Sequence, residues 1–377
     1  MSTHRVAVQM PSFNDAAFVG PAIDSVLAQT AAPFELIVSD DASTDDTVAI
    51  AVARAAAYQG PHSVRVVRHE RNLGPGFHGE ERYRRQSDSP ILVNATADDL
   101  HAPQRVARLV DALDRTGADL VCSNAAWIDE RGAFLRPHVT GRPTGPVSID
   151  DIARPAWCRA TLGATFAFRR SLWLETGGFE GTLIPNAMDL LLPLRAALRG
   201  GCHFIDEPLV FWRQHSRQLK RAVTDEGVGK SVYGEAHRVL MLGVRIQHIR
   251  ELAADPRPTI RRKVGALQAN LFAEAAAWVA HRRRNLASGY RPAWAPLHRM
   301  LEGDTVASND PRVLDADHLA VAVGASVDAL RAASQPAQRQ AALQAVWTEL
   351  VAVCTARVGL YRSHLRPVWL PPSGEVG

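Results

Sequence analysis

Along the first part of the chain, short and nearly continuous apolar runs alternate with longer stretches whose apolar residues recur every three or four positions. A short apolar run bounded by turn residues predicts a buried strand, and the three-to-four spacing predicts a helix with one buried face. Val6–Met10 is therefore expected to be a strand, and Ala17–Gln29 a helix burying Ile23, Val26 and Leu27. Phe34–Ser39 is a second strand. Ser43-Thr-Asp-Asp46 supplies hydroxyls suited to a helix cap and acids suited to a first turn, so a helix should run to about Tyr58. Val64–Val67 reads as a third strand, Gly79–Gln86 as a short helix and Ile91–Asn94 as a fourth strand. Pro103 fits the first turn of a helix carrying Val106, Leu109, Val110 and Leu113, which stops at Gly117 before a fifth strand, Asp119–Ala125. Such alternation of strand and helix predicts a doubly wound, mostly parallel sheet.

From Trp127 to Ala160 the pattern breaks into turns and short strands. Leu190–Leu198 is predicted to be a helix ending at Gly200-Gly201, with Pro193 in its first turn, and His203–Trp212 a last strand bent at Pro208. After about residue 220 the character changes to long Ala- and Leu-rich helical segments: Gly229–Ala253, Thr259–Ala287, His318–Ala333 and Pro336–His364. Two domains are expected, 1–220 and an all-helical 221–377, with no internal repeat.

Composition changes this picture little. The chain has 377 residues, 46% hydrophobic and 22% charged, as in ordinary globular proteins. A formal charge of +4 is slight for that length; it hints at anionic partners and proves none. Nucleic acid is not expected as a partner. Cys122, Cys158, Cys202 and Cys354 are scattered without a CxxC pair, which suggests neither a zinc site nor a disulfide framework. No signal-peptide pattern precedes the first strand, and the longest apolar segments are too short to cross a bilayer. A cytoplasmic protein is expected, with the inner face of a membrane as the one alternative setting.

The acids are placed less evenly. Asp40 and Asp41 end the second predicted strand, Asp98 and Asp99 follow the fourth, and Pro11-Ser-Phe-Asn14 follows the first. In open α/β sheets ligands bind outside the carboxyl ends of the strands. Adjacent carboxylates repel, and burying one is costly without a partner. One resolution is a divalent cation, and an all-oxygen site with a diphosphate suits Mg2+ or Mn2+. The other is that each pair caps a turn or helix, as Asp commonly does.

Taken together, these segments resemble the family 2 glycosyltransferases. The segments are Ala7–Asn14, Ala22–Thr30, Phe34–Thr47, Arg71–Gly74, Ala97–Asp99 with Pro103, Gly177–Phe179, Met188–Gly201 and Asp206–His215, in the family's order over about residues 4–220. The resemblance implies a Rossmann-like GT-A domain that moves a sugar from a nucleotide diphosphate donor, UDP- or dTDP-linked, to a hydroxyl of a glycan or other acceptor, with inversion. It implies that Pro11 and Phe13 flank the donor base and that Asp41, with Asp40 beside it, accepts from a pyrimidine N–H. It further implies that Asp98 and Asp99 hold the metal and the donor ribose or diphosphate, that His215 is a further metal or diphosphate contact, and that Asp189 is the catalytic base. The C-terminal helices lie outside the resemblance; acceptor binding, homo-oligomer formation and peripheral membrane contact are the roles open to them.

Two positions depart from the family pattern: Thr96 stands where an acid is common, and Met188 where Glu commonly precedes the base. Leu191 and Pro193 replace the usual Asp and Trp of the same helix, which bears on the acceptor more than the donor. These departures are what a non-catalytic, glycan- or partner-binding module would show. A second rival is an oxidoreductase, because Gly74-Pro-Gly-Phe-His-Gly79 matches GxGxxG. That fingerprint needs its glycines in the turn directly after a strand; here Arg68–Asn72 intervene. Arg82, Arg84 and Arg85 are expected on a solvated helix face, Arg261-Arg-Lys263 and Arg282-Arg-Arg284 at solvated helix ends, and Trp157, Phe166 and Phe168 in the core.

Overall fold

The computed structural model describes residues 4–138, 140–153, 162–178, 188–215, 242, 244–287 and 316–350. The chain forms two compact units, Met1–Glu180 with Met188–Gln218, and Gly181–Ala187 with Leu219–Gly377. The boundary expected near 220 and Trp157 both lie outside the described residues.

The first unit is built on one ten-stranded sheet ordered β3-β2-β1-β4-β9-β6-β10-β5, with β7 on β6 and β8 on β10. Strands β1 (Val6–Ser12), β2 (Glu35–Asp40), β3 (Ser63–Arg68) and β4 (Ile91–Asn94) are parallel, as expected of runs joined by helices. Between them lie α1 (Val19–Leu27), α2 (Thr47–Ala57) and α3 (Gly74–Arg85). After β4 come the two-residue β5 (Leu100–His101), α4 (Arg105–Thr116) and β6 (Leu120–Ile128). The region of turns supplies β7 (Phe134–Pro137), β8 (Gly145–Val147), α5 (Ile149–Ala153), a 3₁₀ turn at Gly163–Thr165, β9 (Ala167–Arg169) and α6 (Arg170–Glu175). The unit closes with α7 (Met188–Leu198) and β10 (Cys202–Arg213), which runs parallel to β6 with register shifts at the expected Pro208 bend. Strand β9 is antiparallel to both β4 and β6 and so joins two parallel blocks into one sheet.

Side chains alternate across a strand, so each strand contributes to both faces. Val6, Val8, Met10, Leu36, Val38, Ile91 and Val93 join one hydrophobic cluster with Ile23 and Val26 of α1 and Val106, Leu109 and Leu113 of α4. Gly117 closes α4 with φ 68°, a left-handed cap that glycine adopts without steric cost.

Three expectations need correction. Helix α3 begins at Gly74, not Gly79, because the Asp41 carboxylate accepts the Leu73 and Gly74 N–H groups (2.7 and 2.9 Å) and anchors the helix earlier. Arg82 is not on a solvated face: it is 6% exposed and bonds Tyr83 Oη at 3.3 Å, whereas Arg84 pairs with Glu80 and Arg85 stays exposed. Helix α7 starts at Met188, so Pro193 lies inside it rather than in its first turn, and the N–H that would have bonded the Asp189 carbonyl is missing.

In the second unit the described helices are 244–254, Pro258–Arg261, Val264–Ala287, Ala316–Ala332 and 336–350. The helix expected at Thr259–Ala287 is interrupted at 262–263, and most of Gly229–Ala253 and residues 351–364 lie outside the described residues. Leu267, Leu271, Ala275 and Val279 are buried at helical spacing, as are Val323 and Val327 of the paired helix. Arg283 and Asp328 bridge the two at 3.0 Å on an exposed face, an ion pair of small worth. No described helix is long and apolar enough to cross a membrane.

Candidate active site

The loops after β1, β2 and β4 meet at the carboxyl ends of the strands. The first is laced to the second through Asn14, whose left-handed backbone (φ 57°) aims its N–H at Ser43 Oγ (2.8 Å) while its side chain accepts the Thr44 N–H (2.9 Å). Asp15 then donates its N–H to Thr47 Oγ1 (2.7 Å). Asp40 is fully buried and holds this junction: it accepts the Ser43 N–H (2.8 Å), the Ser43 hydroxyl and the Ser12 hydroxyl (3.2 Å). Asp41 anchors α3, and burial pushes its carboxyl up to about 6. Both acids thus fill the backbone-holding role that Asp takes in turns. Phe13 is 47% exposed and Pro11 half-buried beside them.

Asp98 and Asp99 occupy different environments. Strand β5 pairs antiparallel with β10, Leu100 opposite Phe211 and His101 opposite Val210, and this clamps the acidic loop against the end of β10. Asp99 is buried; it accepts the Thr96 hydroxyl on one oxygen and the Arg213 N–H on the other (2.8 Å). Burial, and then the charge of Asp98, hold its carboxyl well above the usual range. The departure at Thr96 therefore has a structural use: a hydroxyl donates to Asp99 where an acid would repel it. Asp98 is the partly exposed member, and His215 Nε2 lies 3.1 Å from its Oδ2. The imidazole is buried against Phe18, ring centroids 4.4 Å apart. Arg213 completes the corner, donating to the Asp98 and Glu130 carbonyls at 2.7 and 2.8 Å.

Asp15, half-buried, is pushed up to about 7 by burial and then by the charge of Asp98. Like charges close enough to interact this way make a region that a cation would stabilise. Among the described residues no group of three His, Cys, Asp or Glu side chains is arranged to hold a metal alone. Asp98 and His215 offer adjacent oxygen and nitrogen donors, and Mg2+ or Mn2+ is commonly held by one or two side chains with phosphate oxygens filling other positions. The donor set fits a cation shared with a diphosphate.

Asp189 lies in the first turn of α7. Its carboxylate accepts the Gly163 N–H, yet burial dominates and raises it to about 6, so the favourable helix end does not keep its acidity ordinary. Asn94 links this region to the acidic loop: its side chain donates to the Gly163 carbonyl (2.9 Å) and accepts from Tyr83 Oη (2.8 Å). Arg105 is buried beneath both, donating to the Asn94 and Ala164 carbonyls at 2.5 and 2.6 Å. Of these residues, Asp15, Asn94, Arg105, Gly163 and Arg213 carried no role in the sequence reading. Arg213 stands inside the segment that drew attention to His215; Gly163 has no flanking signal, because its importance depends on a carboxylate that arrives from α7. The glycines of Gly74–Gly79 lie at the start of α3, not in a turn directly following β3, so the oxidoreductase reading lacks its required context.

Residues 7–175 match the family model described as Glycosyl transferase family 2; the match ends before Asp189 and His215. The chain is 35% identical over 183 residues to the succinoglycan biosynthesis protein ExoU of Rhizobium meliloti (strain 1021), covering 46% of this chain and 51% of that protein. It is 31% identical over 131 residues to succinoglycan biosynthesis protein ExoO of the same organism, covering 35% and 36%. The chain thus spans about half the length of the first of these curated relatives and about a third of the second. Among solved structures, S. aureus TarS 1-349 in complex with UDP superposes with a TM-score of 0.56 at 16% identity, covering 95% of this chain and 91% of that one. A mannosyltransferase, PcManGT from Pyrobaculum calidifontis in complex with GDP-Man and Mn2+, gives a TM-score of 0.50 at 19% identity, covering 95% and 88%. At those identities the likeness is one of fold.

Proposed function

We propose that this family 2 glycosyl transferase domain moves a sugar from a nucleoside diphosphate donor to a hydroxyl of a growing glycan, inverting the anomeric carbon. The observation that carries the reading is the placement of Asp189. Its carboxylate is half-buried and raised to about 6 by burial, and the Gly163–Asn94 bond ties it to the strand end that leads into Asp98. A base with that acidity is ionised at neutral pH and well matched to accept a proton there, a contribution of about 10²–10⁴-fold. Asp189 takes the proton of the acceptor hydroxyl while the hydroxyl oxygen attacks the anomeric carbon. The bond to the diphosphate breaks on the opposite face, and its electron pair leaves with the diphosphate.

Asp98 and His215 would hold Mn2+ or Mg2+, which when bound supplies charge neutralisation to the leaving diphosphate. Asp99, locked by Thr96 and Arg213, holds the loop in place, and exposed Phe13 with Pro11 offers an apolar edge to the base. Fold relatives solved with UDP or GDP-mannose support a nucleotide-sugar donor, UDP- or dTDP-linked in our reading, and relatives named for succinoglycan biosynthesis support a glycan acceptor.

A thermal-shift series with UDP, dTDP and GDP, each with and without Mn2+, tests the donor side. One nucleotide should raise the midpoint only when Mn2+ is present, since a ligand at 100 times its Kd adds about 2.7 kcal/mol. No shift with any nucleotide in Mn2+ would contradict the assignment.

A further inference from the structure

Gly163 opens a single 3₁₀ turn, Gly163–Thr165, a backbone conformation that any residue adopts; nothing in its own dihedrals calls for glycine. Space does. A Cβ built at Gly163 overlaps Asp189 Oδ1 and comes within 3.1 Å of Met188 Cε and 3.2 Å of Asp189 Cγ. The carboxylate occupies the volume a side chain would take, bonded to the N–H of the same residue.

The turn has no room to retreat. Its Gly163 carbonyl accepts Asn94 Nδ2 (2.9 Å), and its Ala164 carbonyl accepts Arg105 Nη2 (2.6 Å). Phe166, just beyond it, accepts the Asn94 N–H (2.9 Å), and Thr165 closes the turn with its N–H and hydroxyl both on the Leu162 carbonyl (2.8 and 2.7 Å). Arg105 also grips the Asn94 carbonyl (2.5 Å), so one buried guanidinium joins the turn to the end of β4. Of the two groups that an added methyl would force apart, the backbone turn is held by these bonds, so the displacement falls on the Asp189 side chain, which is bonded to the Gly163 N–H and to its own backbone N–H.

We propose that Gly163 is the positioning residue for the catalytic carboxylate: its missing side chain and its N–H together form the seat in which Asp189 is aimed at the acceptor hydroxyl, with Asn94 and Arg105 keeping that seat in register with the Asp98 loop. This rests on the reading of Asp189 as base.

The test compares Gly163→Ala, Asn94→Ala and Asp189→Asn in hydrolysis of a nucleotide sugar. The substrate is whichever of UDP-glucose, UDP-N-acetylglucosamine and GDP-mannose the wild-type protein turns over fastest with Mn2+. In this reaction Asp189 accepts the proton of the attacking water, the water oxygen bonds the anomeric carbon, and the nucleoside diphosphate leaves with the electron pair. Gly163→Ala should keep its thermal midpoint within about 4 °C, because only a carboxylate moves. Its KM for donor should stay within about twofold while kcat falls about 10²-fold or more, the scale of a lost general base. Asn94→Ala, which loosens the seat without filling it, should lower kcat about tenfold at unchanged KM, and it carries the test if Gly163→Ala does not fold. A folded Gly163→Ala with near-normal kcat, or an Asn94→Ala with normal kcat, overturns the proposal when Asp189→Asn is impaired. Near-normal turnover by Asp189→Asn overturns the base reading itself and the proposal with it.

Discussion

The two faces of the sheet are made from the same strands, yet they bury different chemistry. On one, Val8, Met10, Leu36, Val38 and Val93 pack with α1 and α4 residues in an uninterrupted hydrocarbon cluster. On the other, the alternate residues Ala7, Ile37 and Leu92 share the buried layer with the polar Gln9, Ser39 and Asn94 beneath α3. Ser39 bonds His78 Nε2 (2.8 Å) and Gln86 Nε2 (2.9 Å), and Asn94 bonds Tyr83 (2.8 Å). Gln9 keeps both amide atoms buried without a partner among the described residues. An apolar layer stabilises roughly in proportion to its area and tolerates no polar atom; a polar layer stabilises little and fixes directions. The polar face is the one that ends at Asn94, Gly163 and Asp189. In the proposed reading, one side supplies stability alone, and the other adds the polar groups that aim the base.

Four changes separate the roles of the two faces. The largest effect is expected at the rim that both faces support: Asp98→Asn should remove Mn2+-dependent nucleotide binding, lowering affinity at least about 10²-fold by calorimetry while the fold survives. If affinity and metal dependence persist, the Asp98–His215 pair is not the cation site. Next, Leu109→Ala on the apolar face should lose about 2–5 kcal/mol in urea unfolding and leave kcat of the folded protein near normal. A kcat loss larger than the Asn94→Ala loss would mean that the two faces do not divide their roles.

The third concerns pH. Asp15 is raised to about 7, and Asp41 and Asp189 to about 6, each chiefly by burial. A carboxyl whose folded value exceeds its unfolded one holds its proton more tightly in the folded state, so stability is greatest below about 4 and falls as pH rises through the folded values. Setting aside groups elsewhere, the ligand-free protein should melt several degrees lower at pH 7.5 than at pH 5, and Mn2+ with nucleotide should narrow the gap by stabilising the ionised acids. A midpoint that rises over that interval would show that these acids are paired with cations instead. Smallest is Gln9→Leu, which removes two unpartnered polar atoms and should raise stability by about 1 kcal/mol without altering nucleotide affinity.

The alternation of apolar runs made the sheet legible from the sequence, because buried parallel strands and one-faced helices leave periodic signatures. Helix α4, from its Pro103 entry to Gly117, was readable almost to the residue. The start of α3 was not, since it depends on Asp41 reaching across from the end of β2. Arg82 misled for a related reason: a basic helix face is usually solvated, and only the polar layer under α3 explains a buried guanidinium. Within the site, the Asp40–Asp41 and Asp98–Asp99 pairs were visible as clusters near strand ends, whereas Asp189 and His215 were visible only through their positions in the family resemblance. The unequal roles of Asp98 and Asp99 were not, because Thr96 and the Arg213 N–H decide them from two different segments.

The account turns on Asp189 as a base that acts after donor binding is complete. The most direct measurement pairs nucleotide calorimetry in Mn2+ with transfer kinetics for wild type and Asp189→Asn, and reads the anomeric configuration of the wild-type product by NMR. Asn keeps the size of the side chain and caps a helix nearly as well. The account predicts unchanged nucleotide affinity, turnover lower by about 10²–10⁴-fold and a product of inverted configuration. Near-normal turnover in Asp189→Asn, or retention of configuration by the wild type, would contradict it.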